Sequence, residues 1–180
     1  MNFWGLILKL SGWKCNITVP YRDKSVICVA PHTSNWDFIV GLCAYRSLGR
    51  KASFLMKKFW FFFPLKYLLK ALGGIPVNTD SSQSLTSKLI SDFKETSHLN
   101  LAVTPEGSRS AVTQWRTGFL TIAYNADVPI QLGIIDFKNK LVIIEREYNA
   151  SGDYQKDLKA IRNYYYNFKE AALYPEKFIP

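Results

Sequence analysis

Short β-branched apolar runs alternate along this chain with stretches whose apolar residues recur every three or four positions. The first run, Ser25-Val26-Ile27-Cys28-Val29-Ala30, predicts a buried strand that Pro31 stops. Helical spacing follows at once, with Phe38, Ile39, Leu42 and Cys43 on one stripe of a helix over 36–46 and Ser34 or Asn35 as its N-cap. Ala52-Ser53-Phe54-Leu55-Met56 predicts a second strand, and a helix over 59–72 should break or begin near Pro64 and end at Gly73-Gly74. Ile75-Pro76-Val77 is a short strand, and Leu85, Leu89 and Phe93 mark the buried face of a helix over 81–96. Leu99 to Val103 reads as a strand and 117–126 as a helix. Two late strands over 130–137 and 141–148 precede a closing helix over 153–173.

Strands separated by helices imply an α/β fold, a mostly parallel sheet with helices on both faces, whose sites gather at the carboxyl ends of the strands. The 180 residues suit one core, and no Pro/Gly/Ser-rich linker or internal repeat divides them. The expected organisation is an N-terminal interfacial or packing segment over 1–24 and one domain over 25–180. The segment's Phe3-Trp4-Gly5-Leu6-Ile7-Leu8-Lys9-Leu10 is too short to span a bilayer, which takes about 20 apolar residues. It also lacks the basic start and cleavage site of a secretory signal. It reads either as an amphipathic helix resting on a membrane or as ordinary packing. Phe59-Trp60-Phe61-Phe62-Phe63-Pro64-Leu65, flanked by Lys57, Lys58, Lys66 and Lys70, leaves the same two readings open.

The chain holds 23 Lys and Arg against 14 Asp and Glu, a formal charge of +9 that calls for an anionic partner. Nucleic acid, an anionic membrane and a phosphorylated or CoA-type ligand all satisfy charge alone; the aromatic clusters favour lipid over nucleic acid. Cys15, Cys28 and Cys43 lack metal-ligand spacing and suit a reducing compartment. Cys28 falls in the apolar strand and reads as a core residue.

Candidate chemistry lies in His32-Thr33-Ser34-Asn35-Trp36-Asp37. A histidine that is to accept a proton from a hydroxyl needs a carboxylate to fix its tautomer, and Asp37 follows His32 by five positions. On a regular helix, residues five apart point roughly 140° away from each other. The two can therefore meet only if His32 sits in the loop entering the helix and Asp37 in its first turn. Such a helix N-terminus offers free N–H groups to developing negative charge. An arginine such as Arg109 can grip a phosphate group with two parallel hydrogen bonds. No Gly-x-Ser-x-Gly elbow is present, which argues against a hydrolase of that type.

Four blocks in order resemble the glycerolipid acyltransferase family, over residues 25 to 135. They are His32 to Asp37; Gly73-Gly74-Ile75-Pro76-Val77-Asn78-Thr79; Pro105-Glu106-Gly107-Ser108-Arg109-Ser110; and Val128-Pro129-Ile130. The third is the most specific. The resemblance implies an acyltransferase-type fold and transfer of a fatty acyl group from acyl-CoA or acyl carrier protein to the hydroxyl of a lysophospholipid such as lysophosphatidic acid. It implies His32 and Asp37 as catalytic, Glu106, Gly107, Ser108 and Arg109 as acceptor-binding, and Lys57 at a position where the family often has a lysine. The thioester is a co-substrate, and neither cofactor nor metal is expected. Partners would be a lipid acceptor, the acyl donor and a membrane surface, with no nucleic acid, and the place of action the cytoplasm, in association with the inner face of the membrane. Thr79 stands where the family usually has arginine, so Lys57 or Arg116 would have to supply the missing charge, or the acceptor carries no phosphate and is another lyso-lipid such as a lyso-aminolipid. A non-catalytic lipid- or anion-binding module is the remaining alternative.

Overall fold

A computed structural model describes residues 2–77 and 82–179, with backbone alone for 82–84. Thr79, and Ser81 as the expected start of a helix, lie outside the described residues. The chain order is α1 (Phe3–Leu10), β1 (Lys14–Ile17), β2 (Lys24–Val29), α2 (Trp36–Ser47), β3 (Ser53–Lys57), α3 (Leu65–Ala71), β4 (Gly74–Val77), α4 (Ser82–Glu95), β5 (Leu99–Val103), α5 (Gly118–Ala126), β6 (Ile130–Asp136), β7 (Leu141–Tyr148) and α6 (Tyr154–Tyr166). The strands form a single seven-stranded sheet in the order β1-β7-β6-β2-β5-β3-β4. Every pairing is parallel except β6 with β7, whose short connection makes a hairpin. The fold is the expected α/β domain.

Direction of travel across the sheet decides which face each helix covers. From β2 to β3 to β4 the chain steps outward, through α2 and α3. From β4 to β5 to β6 it steps back, through α4 and α5. Side chains on β2 sort accordingly: Val26 and Cys28 join Leu89, Phe93, Phe119, Leu120, Ile161 and Tyr165 of α4, α5 and α6 in the largest core. Ile27 and Val29 face the other way, toward Tyr45 of α2. Leu8 of α1 packs with Val40, Cys43 and Ala44 of α2 over Ile135 and Val142. Arg46 ties this second layer together. Its backbone carbonyl accepts from the Asn2 side chain (2.8 Å), its guanidinium lies 5.5 Å from the Trp4 ring, and Nη2 donates to the Ala71 carbonyl that ends α3 (3.2 Å).

Two expectations require correction. The helix over 59–72 is instead a 3-10 turn at Lys58–Trp60, a further turn at 63–64, and α3 from Leu65; Pro64 lacks an N–H and disfavours helical geometry in the residue before it. The closing helix stops at Tyr166 and gives way to 3-10 turns at Lys169–Ala171 and Pro175–Lys177. Tertiary contacts take over there: the Ala171 carbonyl accepts from Phe137 N (2.8 Å), and Ala171, Ala172 and Phe178 are buried. Lys14–Ile17 adds an edge strand, for which no element was expected, paired in register with Leu141 to Ile144. Its four residues carry too little periodicity to announce a strand.

Candidate active site

The carboxyl ends of β2 and β5 lie side by side, with Cys28 opposite Val103, so the loops that leave them meet above the sheet. The first loop carries His32 into α2, and Asp37 occupies the helix's first turn. His32 Nδ1 lies 2.9 Å from Asp37 Oδ2. An ionised carboxylate can only accept, so Nδ1 carries the proton and the lone pair falls on Nε2. The same Oδ2 accepts from the backbone N–H groups of Thr33 and Ser34, each at 2.9 Å. One buried oxygen thus fixes the ring and the turn that presents it, while the His32 side chain keeps 17 % of its surface in solvent.

The second loop reaches the same residue from the opposite side. Both oxygens of Glu106 lie 3.0 Å from the backbone nitrogen of His32, which donates to them. The resemblance makes Glu106 an acceptor ligand; in the structure it is buried and its carboxylate faces the His32 backbone. Burial pushes the Glu106 carboxyl up to about 7, against the opposing pull of the His32 N–H and ring, and the charge on Asp37 adds to the rise. Two carboxylates therefore brace the turn between them.

Arg109 is exposed and donates through Nη1 to Asn35 Oδ1, linking the two loops. Asn35 does stand at the N-cap of α2, yet its side chain makes no capping bond; Ser34 Oγ accepts from Trp36 N instead (3.1 Å). Gly107 has φ +63°, and a Cβ there would lie 2.5 Å from Arg116 Nε. Glycine suits the backbone angle, and its missing Cβ leaves room for that guanidinium in its present place. Arg116 is tied to the loop by its N–H, which donates to the Pro105 carbonyl (2.8 Å). Ser108 Oγ accepts from Ser110 N (3.1 Å) and shapes the turn. Lys57 ends β3 at the same edge of the sheet, exposed, with β5 between it and the strand that delivers His32.

Two contacts gave no signal in the sequence. Tyr174 N donates to Thr33 Oγ1 (3.2 Å), and Tyr165 Oη, fully buried, donates to the Cys28 carbonyl (2.6 Å). The C-terminal segment thereby supports the loop that carries His32. His98 lies at the other end of the strands, within 2.8 Å of Tyr21 Oη.

In comparison with known proteins, the family model described as Acyltransferase matches residues 15–132. No curated protein matches the chain.

Proposed function

This chain belongs to the acyltransferase family, and from that premise we propose that it moves a fatty acyl group from an acyl thioester to the hydroxyl of a lysophospholipid, lysophosphatidic acid being the expected acceptor. The observation that carries the reading is the 2.9 Å contact between His32 Nδ1 and the buried Asp37 carboxylate, on a ring that remains partly open to solvent. His32 Nε2 takes the proton of the acceptor hydroxyl as that oxygen attacks the thioester carbonyl. Asp37 steadies the imidazolium that results. Loop and helix N–H groups stabilise the oxyanion of the tetrahedral intermediate. When the carbon–sulfur bond breaks, the departing thiolate receives the proton from Nε2, and the ester is released with the free thiol of CoA or of the carrier protein. Glu106 holds the His32 backbone in place, while Arg109, Gly107 and Ser108 shape the acceptor site with Arg116 alongside; Lys57 extends it along the sheet edge. The reaction takes place on the inner face of a membrane as a step of lipid synthesis.

Thr79, where the family usually has arginine, supports one alternative acceptor, a lyso-lipid without phosphate such as a lyso-aminolipid. Purified protein given acyl-CoA and lysophosphatidic acid should release free CoA, and His32→Ala should lower that rate by at least the roughly 10²–10⁴-fold of a lost general base. Consumption of a lyso-aminolipid with lysophosphatidic acid inert establishes the alternative. If wild type and His32→Ala behave alike with both donors and every lipid acceptor, the chain is a binding module and the enzymatic reading fails.

A further inference from the structure

Glu106 holds the backbone of His32, and the residue after His32 is held from elsewhere in the chain. Thr33 is 3 % exposed, too deeply buried to touch a substrate. Its backbone N–H donates to Asp37 Oδ2 at 2.9 Å, and that oxygen is the one 2.9 Å from His32 Nδ1. Its hydroxyl oxygen accepts at 3.2 Å from the backbone N–H of Tyr174, 141 positions later. A single carboxylate oxygen thus separates Thr33 from the histidine ring, and a single hydroxyl links it to the C-terminal segment. That segment is itself fastened on both sides of Tyr174. Before it, Tyr165 Oη donates to the Cys28 carbonyl (2.6 Å) and the Ala171 carbonyl accepts from Phe137 N (2.8 Å). After it, the buried Phe178 ring lies 6.0 Å from that of Trp115.

We propose that Thr33 is a positioning residue for the transfer: through its hydroxyl, the segment from Ala171 to Phe178 holds the His32–Asp37 pair in the geometry that presents Nε2 to the acceptor. Threonine suits this position because a β-branched side chain has few χ1 states. Fixing the hydroxyl therefore also fixes the backbone from which the Thr33 N–H reaches Asp37. Without the tie the turn is free to shift, and a displacement of about 1 Å caused by a change away from the chemistry can cost roughly 10²-fold in rate. A hydroxyl that merely satisfied a buried N–H would matter for stability alone. The inference rests on the reading above for what His32 does, though not for the tie itself.

The test sets Thr33→Val, which keeps the shape and removes the acceptor, against Thr33→Ser, which keeps the acceptor. With acyl-CoA and lysophosphatidic acid, or a lyso-aminolipid where that is the acceptor consumed, Thr33→Val should lower kcat by about ten- to a hundredfold and leave the acceptor KM within about twofold. Thr33→Ser should recover most of the rate. A second readout needs no turnover. The His32 Nδ1 proton, bonded to a carboxylate, gives a far-downfield proton resonance, assigned by its loss in His32→Ala. It should exchange with water about tenfold faster in Thr33→Val, and at close to the wild-type rate in Thr33→Ser. Ile161→Val, a core change on α6, should lower thermal stability by a comparable amount and leave both readouts alone. Circular dichroism checks folding, and Thr33→Ala removes the same hydroxyl if the valine variant does not fold. The inference is overturned if Thr33→Val loses stability alone, if Thr33→Ser is no better than Thr33→Val, or if Ile161→Val lowers kcat as much. Proton exchange that follows the hydroxyl, in a protein whose wild type consumes no thioester, upholds the tie and removes the acyl-transfer reading. Turnover and exchange that are both indifferent to Thr33 uphold that reading and remove the tie.

Discussion

The two helical layers of this protein follow different rules. On the side of α4, α5 and α6 the large apolar residues point inward, and Phe93 and Leu120 are almost completely buried. On the side of α1, α2 and α3 the inward residues form two smaller clusters, while phenylalanines and leucines of comparable size stand in solvent. Burial of apolar surface is what selects helix faces in water. A layer that disregards it is held in place by the other contacts it makes, here Leu8 and the bonds of Arg46.

The largest expected effect would break the comparison if it failed. Phe93→Ala should cost about 3–5 kcal/mol of stability, as a large ring lost from a packed core does, whereas Phe63→Ala should change stability by less than about 0.5 kcal/mol. Urea unfolding of the two variants decides it; equal losses would mean that both layers are ordinary core.

Glu106 lies at the seam, reaching from the loop after β5 to the loop that enters α2. The folded protein keeps its proton up to about 7, while the unfolded chain releases it near 4.5. The native state therefore binds more protons between these values, and stability falls as pH rises through that window, by at most about 3 kcal/mol. Glu106→Gln keeps an acceptor oxygen for the His32 N–H and removes the charge. Unfolding at pH values on either side of the window should show a smaller fall for Glu106→Gln than for the wild type; parallel curves would mean that the carboxylate is well solvated.

The smallest effect sharpens the account of the exposed layer. Arg46→Ala removes a contact with α1 and a bond to α3, and should destabilise by about 1–2 kcal/mol while raising hydrogen exchange in α1 and α3 more than in α4 or α5. Uniform exchange across both layers would show that Arg46 is no tie.

Much of this arrangement can be read from sequence wherever period and chemistry agree. The stripe Leu85, Leu89 and Phe93 placed the buried face of α4, and the β-branched run at Val26 to Val29 placed β2 within a residue of its observed limits. The meeting of His32 with Asp37 followed from helix geometry, because only a loop-to-first-turn arrangement lets residues five apart touch. Other features depend on residues distant in the chain. Nothing near Glu106 announces that it will hold the His32 backbone 74 positions away, nor does Tyr174 signal its contact with Thr33. The C-terminal limit of α6 is not legible because Tyr164 to Leu173 is as apolar as a helix needs, and the Phe137 contact that holds Ala171 beyond it is tertiary. The exposure of Phe59 to Phe63 was likewise undetermined, since an apolar run is the same sequence whether protein or lipid covers it.

The edge strand β1 has one further consequence. Its partner β7 begins at Leu141, 127 residues after Lys14. During synthesis the N-terminal strand must wait, unpaired, until nearly the whole sheet has been made. The helix just ahead of it, with Phe3 and Leu10 uncovered, therefore emerges long before Ile135 and Val142, the sheet residues over which its Leu8 packs.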